Sequence, residues 1–155
     1  MPNLTIRAVT SAEADDAFSL IEEYYEAVHV IARDDRAQIL RYISDPQSGI
    51  FLAYDADTPV GCILYRPLPK LGSAGEVKRL YVRPAFRRRG IADKLLQALE
   101  RFASTRHAQW LYLDTSDDLK AAIAFYERHG YRRCERYNDN PQATIFMRKR
   151  LPDTA

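Results

Sequence analysis

Residues Glu76–Arg106 read EVKRLYVRPAFRRRGIADKLLQALERFASTR, and the fold turns on how the apolar spacing changes along them. Val77, Leu80, Tyr81 and Val82 suit a pleated, half-buried surface, so Glu76–Val82 is expected to be a strand. Pro84 ends it, because proline brings no N–H to a ladder and disfavours helix in the residue before it. From Ile91 the period changes. Ile91, Leu95, Leu99 and Phe102 recur at helical intervals with Ala92, Leu96 and Ala103 beside them, which predicts a helix with one buried face. Between strand and helix lies the basic turn Arg87-Arg88-Arg89-Gly90. First-turn N–H groups of a helix have no partner within it, and the dipole there favours an anion. Gly90 lets a backbone come close and Ala92 adds little bulk. A phosphate site is therefore expected at Arg87, Arg88, Arg89, Gly90, Ile91 and Ala92, with Leu80, Tyr81 and Val82 of the strand leading into it.

Outward from this stretch, the chain alternates between strand and helix periods. Leu4–Val9 alternates apolar and polar residues, and Thr10 or Ser11 can cap the helix that follows, whose apolar set is Ala17, Leu20, Ile21, Tyr24, Tyr25 and Val28. Asp34-Asp35 opens a short helix that Asp45-Pro46 ends. Gly49–Tyr54 and Val60–Tyr65 read as a hairpin, and Pro67–Gly75 as a loop. After the central unit come a strand at Trp110–Thr115, a helix at Leu119–His129 closed by Gly130, a strand at Tyr131–Tyr137, a turn at Asn138–Pro141 and a last strand at Ala143–Lys149. Side-chain alternation puts Glu76, Lys78, Leu80 and Val82 on one face of their strand, and Val77, Arg79 and Tyr81 on the other.

The run Leu80-Tyr81-Val82-Arg83-Pro84, followed by Arg87, Gly90 and Ala92 at a spacing of Arg-x-x-Gly-x-Ala, resembles the acetyl-CoA signature of the GNAT N-acetyltransferase superfamily. A second segment, LKAAIAFYERHGYR at Leu119–Arg132, is similar to that family's helix through Ala122, Tyr126, Glu127, Gly130 and Tyr131. The chain is thereby identified as a small, single-domain, bacterial-type member. The resemblance implies an α/β (α+β) fold: a mixed, mostly antiparallel sheet of about seven strands with helices on both faces, forming one domain over residues 1–155. It also implies that acetyl-CoA is the co-substrate and that Tyr126 donates to the CoA sulfur as it leaves. Relatives commonly carry Asn where this chain has Leu119, so Ser116 or Lys120 takes up that contact to the cofactor.

The chemistry asked for is acyl transfer to an amine that must attack as the free base. A carboxylate acting directly or through water can remove the proton, and Glu76 is the candidate. A backbone N–H of Leu80 or Tyr81, where the strand splays from its neighbour, can hold the developing oxyanion. Tyr24, Tyr25, Tyr42, His29 and Asp114 are candidates to wall the acceptor pocket. Glu76 lies roughly 13 Å along a strand from Leu80, so a direct path needs a bulge.

Composition sets the limits. The chain has 155 residues, a net charge of +2 and 46% apolar residues, which suits one globular domain without an overall basic field for nucleic acid. Cys62 and Cys134 look like reduced thiols of a cytoplasmic protein. Neither a signal peptide nor a membrane span is read, and the histidines lack metal-ligand spacing, so no metal is expected. The expected partner is a small-molecule or amino-acid-like amine. The alternatives are a protein or peptide N-acetyltransferase, and a CoA-binding module without catalysis. A nucleic-acid patch at the arginines, a core role for Tyr126 and a surface ion pair for Glu76 remain as plain structural readings. A homodimer is compatible with the sequence, which does not decide the oligomeric state.

Overall fold

The computed structural model describes residues 3–153; residues 1, 2, 154 and 155 of the expected domain lie outside the described residues. The elements follow in the order β1 (Leu4–Ala8), α1 (Ala14–Ala27), α2 (Arg36–Ser44), β2 (Gly49–Asp55), β3 (Thr58–Pro67), β4 (Ala74–Val82), α3 (Ile91–Thr105), β5 (Trp110–Thr115), α4 (Lys120–Arg128), β6 (Arg132–Arg133) and β7 (Ile145–Arg150). Local chemistry sets several of the boundaries. Thr10 and Glu13 form a reciprocal capping box on the turn that leads into α1. Asp35 caps α2 by accepting from the Gln38 N–H at 2.8 Å. Gly90 enters α3 in the left-handed region, at φ 77°.

The seven strands form one sheet in the order β1-β2-β3-β4-β5-β7-β6. Every neighbouring pair is antiparallel except β4 and β5, which α3 connects as a parallel crossover. Both faces are covered, and β3 shows why its sequence is apolar throughout. Cys62 and Leu64 join a cluster with Phe18, Leu20, Ile21 and Tyr25 of α1. Ile63 and Tyr65 join the opposite cluster with Leu95, Leu96 and Leu99 of α3.

Two expectations about local structure are corrected. The first concerns the faces of β4. Lys78 pairs with Leu64 and Tyr81 with Cys62, so β4 advances by three residues while β3 advances by two. The extra residue is a bulge at Arg79, whose φ is 60°. Alternation is reset there, so Leu80 and Val82 pack with Val77 on the α3 side, while Tyr81 packs on the α1 side. The second concerns Tyr131–Tyr137, where only Arg132–Arg133 is strand. One further bond, from Cys134 N–H to the Phe146 carbonyl, continues the ladder. Beyond it the Arg136 guanidinium gathers the carbonyls of Asn138, Asn140 and Ala143, and the chain turns off the sheet.

Candidate active site

Where β4 and β5 part, the sheet opens. They pair only over Ala74–Glu76 with Trp110–Tyr112, and beyond Glu76 no residue of β4 pairs with β5. A cavity of about 950 Å³ occupies this opening. Its wall includes Lys78–Val82 of β4, the turn and first residues of α3, Asp114 of β5, Tyr24 of α1 and Tyr126 of α4.

At one end lies the basic turn. Among the described residues, the backbone N–H groups of residues 88–93 have no acceptor within the protein. Arg88 at φ 65° and Gly90 at φ 77° both sit in the left-handed region, which turns consecutive N–H groups inward. A Cβ built on Gly90 would meet only the Asp93 carboxylate, at 4.0 Å, so the space above it is open. Arg87 and Arg88 line the cavity, whereas Arg89 does not and lies with its guanidinium 5.5 Å from the Phe86 ring. The Arg87 side chain also donates from Nε to the Val82 carbonyl at 2.9 Å. Leu80, Tyr81, Val82, Ile91, Ala92 and Lys120 line the cavity. Ser116 is turned to Asp118, which accepts from its hydroxyl, and is not on the wall.

Tyr126 stands midway along the wall with 8% exposure. No described residue hydrogen-bonds its hydroxyl, so the group is free for a ligand. Burial raises its pKa above the ordinary phenol value, and the neighbouring Tyr24 and Asp114 add to the rise. It is therefore a hydrogen-bond donor that resists ionising.

Glu76, expected as a base acting directly or through water, is enclosed by protein partners. It is 1% exposed, and it is not on the cavity wall. Oε1 accepts from Arg66 Nε at 2.8 Å, and Oε2 accepts from the Tyr137 hydroxyl at 2.6 Å. The Asn138 side-chain amide spans from Glu76 Oε2, at 3.5 Å, to Asp114 Oδ2, at 2.6 Å. Asn140 donates to the other Asp114 oxygen at 3.4 Å. The segment that left the sheet thus connects a buried carboxylate to one that faces the cavity.

Of the other acceptor-pocket candidates, Tyr24 and Asp114 are on the wall. Tyr25 is 2% exposed in the core, where its hydroxyl accepts from the Asp34 N–H at 3.0 Å. His29 is exposed at the end of α1, and Tyr42 sits on α2; neither lines the cavity. Sequence reasoning missed Lys78 and Arg79 as wall residues. Their signal was a pair of adjacent cations within a strand whose neighbouring positions, Val77, Leu80, Tyr81 and Val82, are apolar or aromatic. Arg79 pairs with Asp34 at 3.3 Å, its guanidinium lies 4.9 Å from the Tyr25 ring centroid, and its Nε is buried without a partner. Among the described residues, no cluster of three or more His, Cys, Asp or Glu could hold a metal ion.

The sequence pattern of the Acetyltransferase (GNAT) family matches residues 14–131. An IAA acetyltransferase of Azospirillum brasilense is 32% identical over 158 residues, which covers 97% of this chain and 100% of the relative. An uncharacterized N-acetyltransferase of Schizosaccharomyces pombe is 29% identical over 154 residues, 94% of each chain. The solved structure of the PaiA N-acetyltransferase of Thermoplasma acidophilum in complex with coenzyme A superposes with a TM-score of 0.77 at 15% identity, covering 95% of this chain and 98% of that one.

Proposed function

The chain belongs to the acetyltransferase (GNAT) family, and from that premise we propose that it moves an acetyl group from acetyl-CoA to a primary amine of a small or amino-acid-like acceptor, by direct attack on the thioester. The observation that carries the reading is the open cavity between β4 and β5, with a cradle of free N–H groups at one end and the unpartnered Tyr126 hydroxyl on its wall.

The residues present fit the co-substrate. The N–H groups of residues 88–93 and the Arg88 side chain would hold the pyrophosphate. Leu80, Val82, Ile91 and Ala92 would flank the pantetheine arm. When bound, acetyl-CoA supplies an activated acyl carbon and a thiolate leaving group. The protein's task is to place an amine, remove its proton and stabilise two developing charges. An alkylamine has a pKa of ~10.4 and an α-amine ~7.7–8.0, so the acceptor arrives largely protonated. Asp114 faces the cavity and is positioned by neutral amides, so it receives the ammonium and takes its proton directly or through water. Glu76 acts one step back, by fixing Tyr137 and Asn138 against Asp114. A backbone N–H of Leu80 or Tyr81, beside the bulge, donates to the acyl oxygen as it gains charge. Tyr126 donates to the sulfur as its charge grows, a hydrogen bond that strengthens without full proton transfer.

We read the chain as one domain. No helix among the described residues is long and apolar enough to cross a membrane. The buried Cys62 and half-buried Cys134 are unpaired, which agrees with a reducing compartment such as the cytoplasm. The deciding experiment is a thiol-release assay with acetyl-CoA against a panel of free amines, amino acids and short peptides. Release with free amines or amino acids is expected. Release with peptides alone would turn the reading to a peptide N-acetyltransferase, and CoA binding without release would leave a binding module.

A further inference from the structure

The cavity wall carries two opposite charges, Asp114 and Lys78, that no direct hydrogen bond to an opposite charge satisfies among the described residues. Nearby, Glu76 takes Arg66 at 2.8 Å, and Asp34 takes Arg79 at 3.3 Å. Asp114 has no ion-pair partner among the described residues, and Lys78 has only a long one, to Glu76. The Asp114 carboxylate is held only by the side-chain amides of Asn138 and Asn140, and no cation lies within ion-pair distance of it among the described residues. The nearest carboxylate to the Lys78 ammonium is Glu76 Oε1 at 3.8 Å, beyond hydrogen-bond length, and that oxygen already serves Arg66. Lys78 donates no hydrogen bond among the described residues, although its side chain is only 19% exposed. A half-desolvated ammonium that no protein group hydrogen-bonds favours an anionic ligand group over a neutral one. Burial is accordingly the main cause that lowers the Lys78 pKa, with Glu76 opposing it.

Both groups line the same cavity but form no ion pair with each other. Arg79, at the bulge and next to Lys78 on the same wall, also has its Nε without a partner.

We propose that the acceptor is a zwitterion, a free amino acid or a similar amino carboxylate, whose ammonium docks on Asp114 and whose carboxylate docks on Lys78. The proposal rests on the small-acceptor reading above and narrows it. Lys78 is a specificity residue that selects for the carboxylate, and Asp114 serves any amine. Amines that lack a carboxylate forgo the Lys78 contact, so they are poorer substrates even when they fit.

The test pairs each of a set of amino acids with its own carboxamide and measures kcat/KM for both by thiol release. The wild-type protein should favour the acid of its best pair by tenfold or more. Lys78→Met should lower that ratio by at least tenfold, while Lys78→Arg should retain most of it. Asp114→Asn should reduce both members of the pair together. Comparing ratios between wild type and variant cancels intrinsic differences in amine basicity. Circular dichroism and CoA calorimetry check that each variant is folded, and Lys78→Gln replaces Lys78→Met if the latter is not. An acid-to-amide ratio unchanged by the Lys78 substitution overturns the proposal while leaving the small-acceptor reading intact. Release with peptides only, or with no amine, overturns both.

Discussion

Tyr126, Gly90 and Glu76 each do one thing that a single atom or torsion decides. Tyr126 lines the cavity, its hydroxyl has no partner among the described residues, and its surroundings keep that hydroxyl protonated and able to donate. Tyr126→Phe removes that one oxygen and keeps the ring packed against Phe125 and Tyr131. The expected result is a fall in kcat of ~10²-fold with nearly unchanged CoA affinity, read by steady-state kinetics and calorimetry. Wild-type turnover would return Tyr126 to packing alone. Gly90 is held at φ 77°, where a branched side chain is strained, at the entry to α3 beside the free N–H groups. Gly90→Val should weaken CoA binding by more than tenfold, about 1.4 kcal/mol, in calorimetry on the folded variant. For Glu76 the hydrogen bonds argue for positioning. Glu76→Gln abolishes the charge opposite Arg66 and loosens the Tyr137–Asn138 arm. We expect kcat/KM to drop about tenfold by the same factor at every pH across the amine titration. A loss that heals as pH rises would make Glu76 the proton acceptor after all.

The elements that frame the cavity are joined by a few polar clamps. Glu23 of α1 grips the end of β4, accepting from Arg83 Nε at 3.0 Å and from Nη2 at 2.7 Å, and from the Tyr81 hydroxyl at 3.2 Å. The Arg83 hydrogen bond is the main cause that lowers the Glu23 pKa below its ordinary value of 4.5. A carboxylate whose folded pKa is depressed contributes stability above its unfolded pKa, and the contribution is lost as pH falls through the folded pKa. Glu23 is 38% exposed, so solvent screening limits the clamp to about 0.5–1 kcal/mol. Glu23→Gln should therefore lower the unfolding free energy by that amount at pH 7, and the gap should close in urea titrations as pH falls through the lowered folded-state pKa. A gap that stays constant would assign the effect to packing. A second clamp, His129 Nε2 to Asp93 at 2.8 Å, ties the end of α4 to the first turn of α3, on opposite sides of the cavity.

At the scale of the whole molecule, the sheet is divided where its two halves meet. The β4–β5 seam is three residue pairs long, with α3 crossing behind it. A ligand seated in the opening touches both halves, and so it should stabilise the fold beyond its own local contacts. Saturation at a hundred times Kd contributes ~2.7 kcal/mol, which for a domain of this size raises Tm by about 5–10 °C. Thermal melts with and without CoA would show it, and an unchanged Tm at saturating CoA would exclude the opening as the site.

The amino-acid sequence by itself determined what depends on neighbours along the chain. The periods of apolar residues placed α1, α3 and the hairpin strands. Pro84 and Gly90 marked the turn before α3, and the resemblance of Leu119–Arg132 to the family's helix pointed to Tyr126, which lines the cavity. The fold class followed from the order of these elements together with the resemblance that the motifs carry. Tertiary structure decided what depends on register and on distant partners. The bulge at Arg79 exists only because β4 must fit β3 and then leave β5, and it alone turned Leu80, Tyr81 and Val82 to faces opposite to simple alternation. Nothing near Glu76 in sequence shows that Arg66 and Tyr137 will enclose its carboxylate. Nothing near Tyr137 shows that Arg136 will draw the chain off the sheet after two paired residues. Periodicity and turn chemistry are local, because they arise from torsions and adjacent side chains. Which charges are matched and which face a cavity is a property of contacts about sixty residues apart, and those form only when the sheet does.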